Sequence, residues 1–177
     1  LDLVPLDVRH HDAVLAFDRE TVDFARTVTD RGEAFFAGFT ERFAALLAEQ
    51  AAGVSAFYVV VGGDGSVVGR FNLMDIDGDA PEVGFRVAER AEVRESTAGV
   101  LELCRLAEER HGLRSVRAAV ADLNPGSVRV LVKAGFRVVG PANPEHLGGK
   151  TGRWFVRETT KAHEGQQGGT GSSTAGR

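Results

Sequence analysis

Between Asp122 and Phe136 the chain reads DLNPGSVRVLVKAGF, which sets an amide (Asn124), a hydroxyl (Ser127) and an ammonium group (Lys133) along one short helical stretch. Asn124 before Pro125 is an N-cap pattern, and Ser127 falls in the first turn. Upstream, Glu82 opens an extended apolar run of Val83, Phe85 and Val87. The charged segment Ala88 to Ser96 follows, containing Glu89, Arg90, Glu92, Arg94 and Glu95. Arg70 and Asn72 alternate on an earlier extended run and so share a face. A strand, a loop, a helix and a second strand make a right-handed crossover, whose loop and helix N-terminus suit a phosphate-bearing ligand.

The rest of the chain must position these groups. Leu3 to Leu6 reads as an edge strand because Pro5 cannot serve a sheet centre. Val8 to Asp18 reads as a helix, and Glu20 to Thr29 is ambiguous. Glu33 to Ala51 reads as one helix with Phe35, Phe36, Phe39, Phe43, Leu46 and Leu47 at helical spacing. Val54 to Val61 and Val67 to Met74 form a hairpin around Gly62-Gly-Asp-Gly-Ser, with Gly69 at a bulge or a close approach. The third antiparallel strand is Glu82 to Val87. Thr97, Val100, Leu101, Cys104 and Ala107 then mark the buried face of a helix that ends at Gly112. Ser115 to Ala121, Arg137 to Gly140 and Arg153 to Glu158 are further strands. The order predicts an α+β fold: a mixed, mostly antiparallel sheet of about six or seven strands flanked by helices on both sides. Residues 1–160 read as one domain, and 161–177, rich in Gly, Ser, Thr and Gln, as a disordered tail.

Composition narrows the classes. The chain has 177 residues, 43% hydrophobic and 26% charged, with net charge −4. That charge gives no reason to expect nucleic-acid binding, and no apolar stretch approaches the roughly 20 residues of a membrane span. The single cysteine excludes an internal disulfide and a cysteine-rich metal site, and Cys104 reads as core. His10 and His11 point to different sides of a helix. Asp75, Asp77 and Asp79 lack the closing glutamate of a calcium loop, so no metal site is expected. The N-terminus has acidic residues and no signal-peptide layout, which predicts a cytoplasmic protein.

Asn124-Pro-Gly-Ser-Val-Arg-Val-Leu-Val-Lys-Ala-Gly-Phe136 resembles the N-x-x-S-x-x-x-x-x-K-x-G-F signature of the GNAT superfamily of N-acetyltransferases, in particular the branch acting on ribosomal-protein N-termini and small amines. The resemblance runs from about Leu3 to Glu158 and implies the acyl-CoA N-acyltransferase fold. Its fourth and fifth strands splay apart to admit pantetheine. It implies acetyl-CoA as co-substrate, a small-molecule amine or a peptide N-terminus as acceptor, and homodimers of the kind found among relatives.

Residue by residue, it implies main-chain contacts from Phe85 and Val87 to the pantetheine arm and an amide contact from Asn124. It places Ser127 near the thioester, where it can hydrogen-bond or protonate the sulfur; the only tyrosine, Tyr58, lies in a distant strand, which favours Ser127 or water as proton donor. Arg90, Arg94, Ser96, Thr97 and Lys133 complete the cofactor set. Arg86 reads either as a phosphate neighbour or as a solvated strand end. Glu82 reads either as the base that takes the ammonium proton or as the end of a turn. Arg70 and Asn72 would orient the acceptor. Phe24, Phe35 and Phe39 read either as core or as walls of its groove. The family's pyrophosphate loop, Q/R-x-x-G-x-G/A, is here Glu89-Arg-Ala-Glu-Val-Arg94, with Glu92 and Arg94 in the glycine positions. Bulk and negative charge there predict weakened acetyl-CoA binding, or a silent ligand-binding module.

Overall fold

The computed structural model describes residues 1–21, 32–89, 91 and 93–159. Phe24, Arg90, Glu92 and the tail lie outside them. The elements are β1 (Val4–Pro5), α1 (His11–Glu20), α2 (Glu33–Ala37), α3 (Phe39–Ala51), β2 (Ala56–Val61), β3 (Val67–Met74), β4 (Glu82–Val87), α4 (Val93–His111), β5 (Ser115–Ala121), α5 (Pro125–Lys133), β6 (Arg137–Pro141) and β7 (Gly152–Glu158). Single 3₁₀ turns cover Val8–His10 and Pro144–Leu147.

The seven strands form one sheet in the order β1-β2-β3-β4-β5-β7-β6. All neighbours are antiparallel except β4 and β5, which are parallel. Alternation along β2 and β3 sends side chains to two cores. Tyr58, Phe71 and Leu73 pack with Val100, Leu103 and Leu131 beneath α4 and α5, while Phe57, Val59 and Val67 pack with Phe17, Phe39 and Phe43 beneath α1 and α3. The expected mixed sheet, covered by helices on both faces, is therefore present.

Three local expectations need correction. The helix expected over Glu33 to Ala51 is broken at Gly38. The Arg42 side chain crosses this point to bond the Phe35 carbonyl, and a Cβ on Gly38 would stand 2.9 Å from Arg42 Nη1. Leu101 is 41% exposed, and Leu103 and Leu106 take the core instead. Helix α4 begins at Val93, so Arg94 to Ser96 are its first turn rather than loop. At Gly69 a bulge and a close approach coincide: the β2–β3 register shifts beside it, and an added Cβ would lie 3.0 Å from the Phe71 ring.

Candidate active site

β4 and β5 share one register pair, Glu82 with Arg117, beside a 2.9 Å bond from the Arg117 N–H to the Pro81 carbonyl. Beyond it the strands part. From Val83 to Val87 the β5-facing edge of β4 has no ladder partner among the described residues, so its backbone groups are open to a ligand that can pair with them. A cavity of about 590 Å³ fills the gap. Ala118 to Ala121 wall one side and Val83 to Ala88 the other, while Ser96 of α4 and Asn124, Gly126 and Ser127 of α5 close the splayed end.

The α5 cap is as its sequence suggests. The Asn124 side-chain oxygen accepts from the Ser127 N–H at 3.2 Å, with Pro125 in the first turn. Since the cap uses only the main chain of Ser127, the Ser127 hydroxyl is left to the cavity it lines. Ser96 is buried at the cavity wall, whereas Arg94 is exposed. Thr97 and Lys133 do not line the cavity; Lys133 is exposed at the far end of α5.

On the opposite sheet face, β3–β4 register sets Arg70 beside Arg86, Asn72 beside Gly84 and Met74 beside Glu82. Arg70 and Arg86 converge on one carboxylate. Asp18 of α1, 2% exposed, accepts from Arg70 Nη1 at 3.1 and 3.2 Å and from Arg86 Nη2 at 2.5 Å. Buried charge requires such pairing. Arg86 is therefore neither solvated nor free to roam as a strand-end cation; its guanidinium also lies over Phe17. Asn72 lines the cavity, and its side-chain oxygen is buried without a hydrogen-bond partner.

Glu82 lines the cavity at the joined end of the strands, its side chain 12% exposed. Its Oε1 lies 2.8 Å from His146 Nε2, a partner 64 residues away that the sequence analysis did not single out. His146 comes from the 3₁₀ turn before β7 and also lines the cavity. The expected acceptor wall is elsewhere. Phe39 is 5% exposed in the core with Phe43, and Phe35 lies against Phe36 and the Arg42 guanidinium; neither lines this cavity. Cys104 is buried on α4, and desolvation raises its thiol pKa. No group of acidic, histidine or cysteine side chains able to hold a metal occurs among the described residues. No described helix is long and apolar enough to cross a membrane.

The acetyltransferase (GNAT) domain family matches residues 1–137, and the chain belongs to that family. No curated protein sequence matches it significantly. Among solved structures it is similar to ribosomal-protein-S5-alanine acetyltransferase from Vibrio fischeri: TM-score 0.78 at 17% identity, covering 89% of this chain and 92% of that one. It also resembles RimJ of Mycobacterium smegmatis in complex with CoA-disulfide, with TM-score 0.73 and 19% identity over 93% and 83% of the two chains. Spermidine N-acetyltransferase from Vibrio cholerae in complex with CoA and spermine gives TM-score 0.71 and 13% identity over 90% and 96%. At these identities the likeness is one of fold.

Proposed function

We propose that the protein transfers an acetyl group from acetyl-CoA to a primary amine, either a small molecule or a peptide N-terminus, by direct attack in a ternary complex. The observation that carries this reading is the cleft between β4 and β5, opening from Glu82 at the joined end to Ser127 at the splayed end. An amide-bearing pantetheine arm can add to the open edge of β4 around Phe85 and Val87, with Asn124 across the gap. The N-terminus of the 19-residue α4, at the splayed end, offers backbone N–H groups to the diphosphate, with Ser96 at the cavity wall and Thr97, Arg90 and Arg94 nearby in sequence.

A thioester is already activated, so holding it against the amine supplies much of the rate. Glu82 takes the ammonium proton. Its carboxylate lies on the face that also carries Asn72, whose unpaired oxygen can accept an N–H of the acceptor, and Arg70, which Asp18 holds in place. Ser127 hydrogen-bonds the departing sulfur and relays to it the proton that the attacking nitrogen loses as the amide forms. Capping does not compete with this role, because the cap leaves the hydroxyl free.

Initial rates with both substrates varied test the direct-attack order. Intersecting lines are expected; parallel lines, the mark of a covalent acetyl-enzyme, would contradict it. Glu92 and Arg94 in the phosphate loop favour a second reading, a weak or silent ligand binder. On that account Glu92→Gly with Arg94→Gly tightens acetyl-CoA binding by calorimetry, and unchanged affinity removes the argument.

A further inference from the structure

The Glu82–His146 contact joins groups 64 residues apart in sequence, and the fold holds the imidazole from several directions. The 3₁₀ turn that carries it starts with a cap, the Asn143 side chain accepting from the Glu145 N–H at 3.0 Å, and with Pro144 in its first turn. It ends at Gly148, whose φ of 63° is the left-handed conformation that glycine adopts freely. Leu147, 2% exposed, anchors it in the interior. The imidazole also packs on the Trp154 ring of β7, centroid to centroid 4.9 Å, and the Arg117 guanidinium carbon lies 4.0 Å from the same ring's centroid. At 42% side-chain exposure, His146 stands between the more buried Glu82 and solvent.

An ionised carboxylate can only accept, so the 2.8 Å contact is a donation from His146 Nε2–H to Glu82 Oε1. One carboxylate oxygen is thereby fixed, which leaves Oε2 available to a ligand in the cavity that Glu82 lines. We infer that His146 is a positioning residue for proton transfer: its Nε2–H holds the Glu82 carboxylate in place for the acceptor amine. This rests on the reading of Glu82 as the proton acceptor. In the step itself an N–H bond of the acceptor ammonium breaks and an O–H bond forms at Glu82 Oε2. The electron pair freed on nitrogen then attacks the thioester carbonyl, the C–S bond breaks, and the proton that the nitrogen still has to lose passes to the leaving sulfur through the Ser127 hydroxyl. Glu82 stays the group that receives the proton, and His146 acts through it. Glu82 from β4 meets the imidazole directly, and Arg117 from β5 packs on the same Trp154 ring.

Two variants separate this role from simple support of the turn. His146→Phe keeps an aromatic ring against Trp154 but removes the donor, whereas His146→Gln keeps an N–H donor. His146→Phe should lower kcat by about tenfold, a part of the roughly 10²–10⁴-fold that a positioned base supplies. The KM for acetyl-CoA should be unchanged, because the contact lies at the carboxylate and not along the cofactor arm. His146→Gln should recover most of the loss. Independently of turnover, the NMR signal of the His146 Nε2–H proton should move upfield in Glu82→Gln, because an amide oxygen is a weaker acceptor than a carboxylate.

A wild-type kcat in His146→Phe would overturn the inference. So would a loss of rate with no rescue by Gln, or a His146 Nε2–H signal indifferent to Glu82→Gln. Full activity in Glu82→Gln would overturn the reading of Glu82 as acceptor, and this role with it. Loss in Glu82→Gln with none in His146→Phe would overturn the inference about His146 alone.

Discussion

Glu82 and Arg117 face each other where β4 and β5 run side by side, and among the described residues they are the only register pair the two strands share. The pair acts as the pivot of the cleft. On one side of it the sheet is continuous; on the other the strands separate around a 590 Å³ cavity, with Asn124 and Ser127 at the splayed end. One carboxylate thus sits at the closed end of a cleft whose open end carries a helix cap and a free hydroxyl.

That cleft depends on how closely α4 lies on the sheet, and Gly99 sets the distance. A Cβ there would stand 2.2 Å from Phe71 Cζ and 2.4 Å from Cε1, and the Phe71 ring is fully buried. Gly99→Ala should therefore destabilise the protein by about 1–3 kcal/mol, the usual effect of overpacking a filled core. Urea unfolding reads this directly; a midpoint equal to that of the parent protein would show that the helix can shift without penalty.

The buried triad Arg70–Asp18–Arg86 ties α1 to β3 and β4. Replacing Asp18 by Asn leaves two guanidinium groups side by side in a largely buried place. Removing one partner of a buried ion pair typically costs about 3–5 kcal/mol. Thermal unfolding of Asp18→Asn should show a loss of that order, and a change below about 1 kcal/mol would mean that water reaches the arginines.

Asn124 and Ser127 separate a structural role from a chemical one. The cap is made by the Asn124 side chain to the Ser127 main chain. Ser127→Ala should leave stability within about 0.5 kcal/mol, as for a surface change away from such features, while slowing turnover. Asn124→Ala should destabilise by about 1 kcal/mol through the lost cap. Equal stability loss in the two variants would contradict this division.

Cys104 should be chemically inert in the folded protein. It is buried against the α4 core, and desolvation raises its pKa, with a smaller opposing effect from Arg157. Because the thiolate is the nucleophile, native protein should resist alkylation and react only on unfolding. Stoichiometric labelling at neutral pH without denaturant would contradict the assigned packing.

What could be read in the sequence follows from how local each feature is. The strand, helix and turn from Glu82 to Phe136 are encoded by period, cap and glycine, so their type and order were visible. The cap at Asn124 lies within three residues of its partner. Gly38 was passed over because the phenylalanine stripe continues across it; the break depends on Arg42 reaching back to Phe35. Asp18 looked like the end of an amphipathic helix, since its partners lie 52 and 68 residues away. His146 sat in a Gly/Pro/Asn-rich loop with no periodicity. Only the tertiary fold brings it to Glu82, and no local signal could have announced that contact. The exchange of Leu101 for Leu103 and Leu106 in the core reflects a helix buried over a wider face than one narrow stripe, since both the sheet and α5 cover it.

The central claim is acetyl transfer in the β4–β5 cleft, and thiol release from acetyl-CoA measures it most directly. Purified protein is assayed with a panel of small amines and short peptides bearing free N-termini, alongside calorimetric titration with acetyl-CoA alone. The account predicts that acetyl-CoA binds and that thiol appears only when a competent amine is present, with Glu82→Gln and Ser127→Ala slowing its release. No release above background with any amine, together with no binding of acetyl-CoA, would contradict it.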